Sequence, residues 1–441
     1  MMDFIERNFM NALEDLKVLS RIRSVSTKGE GIYEMVEALV SVMEKYGLKA
    51  KVLSTKGYPA IYAEEGEGRT ILFYNHYDVQ PPDPIDEWES PPFEPAIKEG
   101  KIFGRGVADN KGDIISRLLA VKAVRESMGK LPVKVKFLIE GEEEIGSPNL
   151  KSLIEENKNL LKADACIWES GGITWDDRPI IALGVKGILY VELEARGAYT
   201  ELHSSYAPMV PNPAWRLIEA LSLLRDRDGR ILIDGFYDDV LEPGDFEISL
   251  LRDIPFDEAK FEESIGVKLL FRGDELKERY IFSPTCNICG IVSGYTGEGS
   301  KTIIPPYARA KIDFRLVPDQ RSEDILGKLR AFLDKKGFGD IKINWWEGEE
   351  PSRTPPDDPF VDFVKERARE VYGKEPVIYP SFAGTGPMHP VREILKVPVV
   401  CIGTGYPESR CHAPNENIRI SDFILSTKLI ASIISGGSVW R

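Results

Sequence analysis

Residues 70–78 read TILFYNHYD, an unbroken apolar run of strand length that stops abruptly at His76-Tyr77-Asp78. Two further runs have the same design. VKVKFLI at 133–139 leads into the acidic stretch Glu140-Gly141-Glu142-Glu143-Glu144, and ACIW at 165–168 leads into Glu169. Continuous apolar runs, as opposed to alternating ones, predict strands covered on both faces, as in a mostly parallel sheet flanked by helices. In open α/β sheets ligands gather outside the carboxyl ends of the strands. Three strands ending in His or acid therefore predict one convergent site.

The segments between these runs support that architecture. Ile32, Met35, Val36, Leu39, Val40 and Met43 recur at helical spacing, and Gly47 follows as a stop signal. Helices are also predicted from about 113 to 128 and near 149–160. At 184–187 the style changes. Residues 189–195 alternate like a half-exposed strand, 213–225 read as a helix, and 302–318, 322–335 and 341–346 read as strand, helix and strand. Between these lies a mixed insertion at about 226–283, rich in Asp, Glu, Phe and Gly. SRTPPDDP at 352–359 reads as a linker, after which a helix at 360–372 and a strand at 396–402 resume the first style. The expected organisation is a larger α/β domain of residues 1–187 and 351–441, interrupted by a smaller α+β domain at 188–350. A chain of 441 residues is also too long for one core.

Composition narrows the function. A formal net charge of −14 argues against nucleic acid as the main partner, because phosphate binding needs a basic surface. No run approaches the ~18 apolar residues of a membrane span. The N-terminal segment reads as a charged amphipathic helix and not as a signal peptide, so a soluble, cytoplasmic protein is expected. The five cysteines make no disulfide framework. Cys286 and Cys289 form an isolated C-x-x-C in the strand-like run TCNICGIVS, where packing is the expected role.

Histidine with carboxylates suits zinc, and also cobalt or manganese. Each signal alone has an ordinary explanation: a lone His is commonly a hydrogen-bonded residue, and EGEEE could be a solvated loop. Neither explains why His and acid recur at strand ends.

The stretch from Asn75 to Asp113, NHYDVQPPDPIDEWESPPFEPAIKEGKIFGRGVADNKGD, resembles the signature of the di-zinc metallopeptidases that include carnosinases, cytosolic nonspecific dipeptidase, glutamate carboxypeptidase, aminoacylase, acetylornithine deacetylase and succinyl-diaminopimelate desuccinylase. EGEEEIGS is similar too. GVKG at 184–187, LHSS at 202–205, GSKTIIP at 299–305, DFRLVPDQ at 313–320, AGTGP at 383–387 and CHAPNE at 411–416 occur in the family's order. The 226–283 insertion resembles the carnosinase-like dipeptidase branch.

The resemblance implies a site for two divalent metal ions, zinc first, with cobalt or manganese as alternatives. His76, Asp109, Glu144, Glu169 and His412 match its metal ligands, with Asp109 as the bridge and a cis peptide after it. Many relatives carry Asp where this chain has Glu169. Asp78 matches the carboxylate that orients the first imidazole, and Glu143 the general base. His203 matches a residue that in dimeric relatives reaches into the partner subunit's site. Thr302, Arg315, Gly384 and Thr385 match groups that bind the substrate carboxylate, whereas His389 has no counterpart and is expected to be structural. The implied function is hydrolysis of dipeptides or of C-terminal residues from short peptides by a homodimer. Deacylation of N-acyl amino acids is the alternative.

Overall fold

The structure, a computed structural model, describes residues 1–346 and 348–440. All three apolar runs are strands: Thr70–His76, Lys134–Glu140 and Ala165–Trp168. They lie side by side in an eight-stranded sheet. Lys134–Glu140, Thr70–His76, Ala165–Trp168 and Val399–Cys401 run parallel in that order through its centre, while Lys51–Leu53 and Ala60–Glu65 add an antiparallel flank. Ile180–Ala182 and Val377–Tyr379 complete the other side.

Alternate residues of the apolar runs enter different cores. Ile71, Phe73, Val135, Phe137 and Ile139 pack with the helices Met2–Ser20, Ile32–Lys45, Lys111–Met128, Pro359–Tyr372 and Ile420–Gly436. Leu72, Tyr74, Leu138, Cys166 and Trp168 face the opposite way, onto Leu150–Glu156 and Met388–Leu395. Burying each such side chain contributes about 1.5–3 kcal/mol; the one buried charge within these runs, Lys136, is satisfied by Leu160 O at 2.6 Å and Lys162 O at 2.7 Å. Arg117, on the buried helix Lys111–Met128, ties the strand ends together. It donates to Tyr74 O, Asn75 Oδ1 and Trp168 O, each at 2.6 Å, and to Ile402 O at 3.3 Å.

Residues 187–345 supply a second, four-stranded antiparallel sheet, ordered Thr285–Ser293, Tyr307–Leu316, Gly187–Arg196, Lys342–Trp345. Its apolar face, including Leu189, Val191, Ala310, Ile312 and Phe314, packs on the helices Pro213–Ser222 and Ser322–Lys335. The insertion folds as the helices Asp245–Leu250, Glu258–Ile265 and Gly273–Phe282.

Three expectations are refined. The predicted helix at 149–160 is two pieces separated at Asn157. The predicted strand at 302–318 is split into Ile303–Ile304 and Tyr307–Leu316, because the Pro305-Pro306 pair between them offers no N–H to a ladder. The linker reading of 352–359 fails at its start: Ser352–Arg353 pairs antiparallel with Gly184–Val185, and buried Thr354 donates its N–H to Leu183 O at 2.7 Å.

Candidate metal centre

Register alone brings the three strand ends together. His76 is opposite Glu140, and Phe73, three residues before His76, is opposite Ile167, two before Glu169. The turn after Glu140 needs a residue without a side chain, since a Cβ at Gly141 would lie 2.2 Å from the Tyr77 ring. The chain then forms a short 3-10 turn, Glu143–Ile145, closed by Gly146 at φ +84°. This turn presents two adjacent carboxylates.

Asp109 lies at the centre. Its Oδ1 is 2.9 Å from His76 Nε2 and its Oδ2 is 2.9 Å from His412 Nε2. Each imidazole faces one further acid: Glu169 Oε2 is 3.3 Å from His76 Nε2, and Glu144 Oε2 is 3.2 Å from His412 Nε2. The arrangement is thus two His–carboxylate pairs sharing one carboxylate. Glu143 groups with His76 and Glu169 in the same cluster. The peptide Asp109-Asn110 is cis, as the resemblance implies.

Asp78 holds this arrangement from beneath. It is fully buried. Its carboxylate lies 3.3 Å from His76 Nδ1 and accepts the backbone N–H groups of Glu143 at 3.3 Å and Glu144 at 3.0 Å. One side chain therefore sets both the first imidazole and the acidic turn. An imidazole whose second nitrogen is fixed by a carboxylate is also a better metal ligand.

The electrostatics follow from burial and crowding. Burial would lower the pKa of His76, but Glu169, Asp109, Asp78 and Glu143 outweigh it and hold the imidazole well above its ordinary value. Hydrogen bonds to Asp109 and Glu144 raise His412 to about 10 against a smaller opposing effect of burial. Burial also opposes ionisation of Asp109, yet His412 and His76 keep it well below the usual carboxylate range. Glu143 and Glu169 are pushed well above theirs, first by burial and then by the neighbouring acids.

These residues fit two divalent ions. Glu169 Oε2 is buried and takes no hydrogen bond among the described residues, an expensive state for a carboxylate unless a cation satisfies it. Two imidazole nitrogens with carboxylate oxygens are a donor set for zinc, cobalt or manganese.

The other expected residues form two small groups. Arg315 Nη1 donates to Thr385 Oγ1 at 2.5 Å, and Gly384 O accepts from Lys186 N at 2.9 Å. A Cβ built on Gly386 would lie 4.0 Å from Glu143 Oε1, so the AGTGP loop abuts the acidic turn. His203 and Thr302 meet through Nε2 and Oγ1 at 3.4 Å on a short exposed ribbon. Among the described residues neither hydrogen-bonds or ion-pairs with the cluster within this chain.

His389 bonds to Pro351 O through Nδ1 at 3.0 Å and accepts from Arg321 Nη1 at 2.9 Å. It lines a separate cavity of about 430 Å³ with Arg353 and Arg392. Cys286 and Cys289 are free thiols, the first buried and the second exposed, with Cys289 Sγ 3.0 Å from Asp313 Oδ1.

Sequence reading missed three supporting groups. Gln80 Nε2 donates to Glu144 Oε2 at 2.8 Å. Glu416 accepts the backbone N–H groups of Gly106, Ala108 and Asp109 at 3.0, 2.8 and 3.0 Å and pairs with Arg105 at 2.7 Å, so it fixes the segment carrying the central carboxylate. Glu140 accepts from the Tyr74 hydroxyl, and from Ser147 Oγ at 2.8 Å. Gln80 and Glu416 stand in the quoted motifs, four residues after a proposed ligand in each case, and that adjacency was the available signal.

Known proteins share this architecture. A crystal structure of an M20 family metallo-carboxypeptidase from Sulfolobus solfataricus has a TM-score of 0.92 with this chain at 43% identity, covering 96% of this chain and 98% of that one. The Cys-Gly metallodipeptidase of Schizosaccharomyces pombe is 29% identical over 91% of this chain and 90% of its own length. The human Beta-Ala-His dipeptidase is 30% identical over 85% of this chain and 76% of its own. Residues 72–436 match the family described as peptidase family M20/M25/M40. With a carboxylate held between two imidazoles beside the carboxyl ends of its parallel strands, the chain belongs to peptidase family M20/M25/M40.

Proposed function

We propose that this chain is a two-metal exopeptidase that removes the C-terminal residue of dipeptides and short peptides. The observation that carries the reading is Asp109, with one oxygen 2.9 Å from each of two imidazoles that face opposite carboxylates. In this reading His76, Asp109 and Glu169 hold one ion and His412, Asp109 and Glu144 the other. Zinc is the first choice, with cobalt or manganese as alternatives. Divalent ions at such a site polarise a carbonyl oxygen and acidify a water.

The chain's own residues do the rest. Glu143 takes the water's proton as the C–O bond forms and returns it to the amine nitrogen as the C–N bond breaks. The shift of its carboxyl above the usual range brings it closer to what a group acting first as base and then as acid at neutral pH needs. Asp78 keeps His76 and the Glu143–Glu144 turn in place. The Arg315 guanidinium, with Thr385 and the AGTGP loop beside it, receives the free carboxylate, as a planar fork suits. That selects the terminal peptide bond.

Residues 188–350 are proposed to form a lid and dimerisation domain over a catalytic domain of 1–187 and 351–441. Its edge strand Thr285–Ser293 supports a homodimer, since it is largely exposed and carries Ile288, Ile291 and Val292 at 45, 57 and 50% exposure. A free apolar edge is a template for pairing with a second copy. His203 and Thr302 would then serve the partner subunit's site, which accounts for their making no hydrogen bond or ion pair with the cluster among the described residues of their own chain. No described helix is long and apolar enough to cross a membrane, in keeping with the proposed cytoplasmic location.

The metallodipeptidase and metallo-carboxypeptidase relatives support peptide hydrolysis over deacylation. The deciding experiment is turnover of a panel by metal-reconstituted protein beside a chelated control. The panel contains dipeptides, longer peptides, N-acetyl amino acids, N-acetylornithine and N-succinyl-diaminopimelate. Metal-dependent release of C-terminal residues is expected; turnover confined to the acylated amino acids would move the protein to the deacylases.

A further inference from the structure

One half-buried acid near the catalytic turn has no task in the chemistry above. Glu349 is tied by its backbone to the strand Gly187–Arg196: Ile188 N donates to Glu349 O at 2.8 Å, and Glu349 N to Ile188 O at 3.0 Å. On the other side of that strand, Ile188 is in register with Arg315. Glu349, Ile188 and Arg315 thus form one row across three adjacent chains, and residues in one row share a face of the sheet. Glu349 and Arg315 are therefore opposite charges on the same face, roughly 10 Å apart at the backbone.

Their circumstances differ. Arg315 is engaged with Thr385 at 2.5 Å. The Glu349 side chain reaches the catalytic turn, with Oε1 3.5 Å from a Cβ built on Gly146, the residue that closes the Glu143–Ile145 turn. Its other oxygen, Oε2, is buried and has no hydrogen-bond partner among the described residues. Native structures rarely leave a buried carboxylate oxygen unpartnered. Burial pushes this carboxyl up to about 7, and only Arg315 among its charged neighbours pulls it back. Lys186, a buried cation in the same region, is committed to Ser283 O at 2.7 Å. The region where the substrate's C-terminal residue would lie therefore contains one acid lacking a partner.

We propose that Glu349 is a specificity-determining residue that receives the cationic side chain of a C-terminal lysine or arginine. This inference rests on the exopeptidase reading above, in which Arg315 and Thr385 take that residue's carboxylate. A long basic side chain leaving the same Cα would extend along the row toward Glu349 and supply the donors that Oε2 lacks. A neutral chain of equal length would leave the buried Oε2 unsatisfied.

The test compares Ala-Lys with Ala-norleucine, which differ at the charged tip. Wild-type protein is expected to favour Ala-Lys by about tenfold or more in kcat/KM, the usual scale of a hydrogen bond to a charged group. Glu349→Gln should reduce that ratio to within about twofold of unity. A wild-type ratio near one, or a tenfold ratio that survives Glu349→Gln, overturns the proposal. Free lysine and norleucine as product inhibitors of the wild-type protein give a measurement independent of the variant's folding, and equal inhibition overturns it as well. If neither dipeptide is cleaved but N-acetyl amino acids are, the exopeptidase reading fails. The ratio is then read on the Nα-acetyl derivatives of lysine and norleucine, with the same expected and overturning values.

Discussion

Replacing Asp78 with asparagine isolates the link between the first imidazole and the acidic turn. The change preserves volume, so the buried pocket keeps its shape. What it alters is acceptor capacity. The carboxylate faces three donors: Glu144 N at 3.0 Å, Glu143 N at 3.3 Å and His76 Nδ1 at 3.3 Å. An amide has one oxygen, and its NH₂ can only donate. With the oxygen toward Glu144, the NH₂ confronts Glu143 N and the imidazole; turned over, it confronts Glu144 N. Asp78 is fully buried, so water has no route in to repair either arrangement. His76 keeps one alternative acceptor, Asp78 O at 3.1 Å, whereas the backbone amides of the turn have no such alternative among the described residues. Losing one hydrogen bond to a charged group costs about 1.5–3 kcal/mol, or roughly 10- to 150-fold at 1.4 kcal/mol per factor of ten. A group that orients a metal ligand costs about 10- to 100-fold when altered, which agrees. The assay is metal affinity by competition with a chromophoric chelator, with kcat measured at saturating metal. Both should fall at least about tenfold while thermal unfolding stays cooperative. Affinity and kcat within about threefold of wild type would refute the positioning role.

Glu143→Gln should retain the wild-type metal stoichiometry while turnover falls by about 10²- to 10⁴-fold, the usual contribution of a general base; activity near the wild-type level would remove Glu143 from that role. His203→Ala and Glu143→Gln homodimers should each be nearly inactive, and mixing them under exchange conditions should restore part of the activity through hybrid dimers. Equal activity before and after mixing, with exchange verified by size and labelling, would show that His203 does not act across an interface. Lys186 offers a pH test, because burial and then Arg315 lower its ammonium from 10.5 to about 8. Between these values the folded state binds fewer protons than the unfolded chain, so wild-type stability relative to Lys186→Met should rise with pH from about 8 to about 10.5, by roughly 3 kcal/mol in all. A flat difference in denaturation free energy between pH 7.5 and 10 would contradict the burial argument.

What the sequence made legible depended on periodicity and adjacency. TILFYN announces two-sided burial because both alternating sets within it are apolar, and the structure divides those sets between two cores; in VKVKFLI one set is apolar and the other is Lys134, Lys136 and Leu138, of which Leu138 joins the second core. The site was readable for the same reason, since the residue after a buried strand cannot move far from its neighbour's end. Groups supported from a distance were not readable. Arg117 sits among buried Leu118, Ile114 and Val121 on a helix where, in sequence, it looks like one more charge on a solvent face; only the fold shows it bonded to four acceptors. Ser352–Arg353 was misread for the opposite reason. Its composition is that of a loop, but its backbone groups are paired with Gly184–Val185, which no local propensity encodes.

The same distinction explains why so many acids are concentrated at one point in this fold. Asp78, Asp109, Glu143, Glu144 and Glu169 lie around two imidazoles in a largely buried space. Crowded carboxylates in low dielectric repel one another, and the protein alone relieves this with protons. That is why Glu143 and Glu169 are raised and both histidines are held toward their charged forms. Asp109, in contrast to those two, is kept ionised between His76 and His412. A divalent cation on each side of Asp109 would satisfy the same acids without protons, and ligands must be deprotonated to bind it. The raised values of these groups and the oxygen of Glu169 that takes no hydrogen bond among the described residues are then two aspects of one arrangement. The network beneath, Asp78, Arg117 and Glu416, holds the acids together against their repulsion whichever cation balances them.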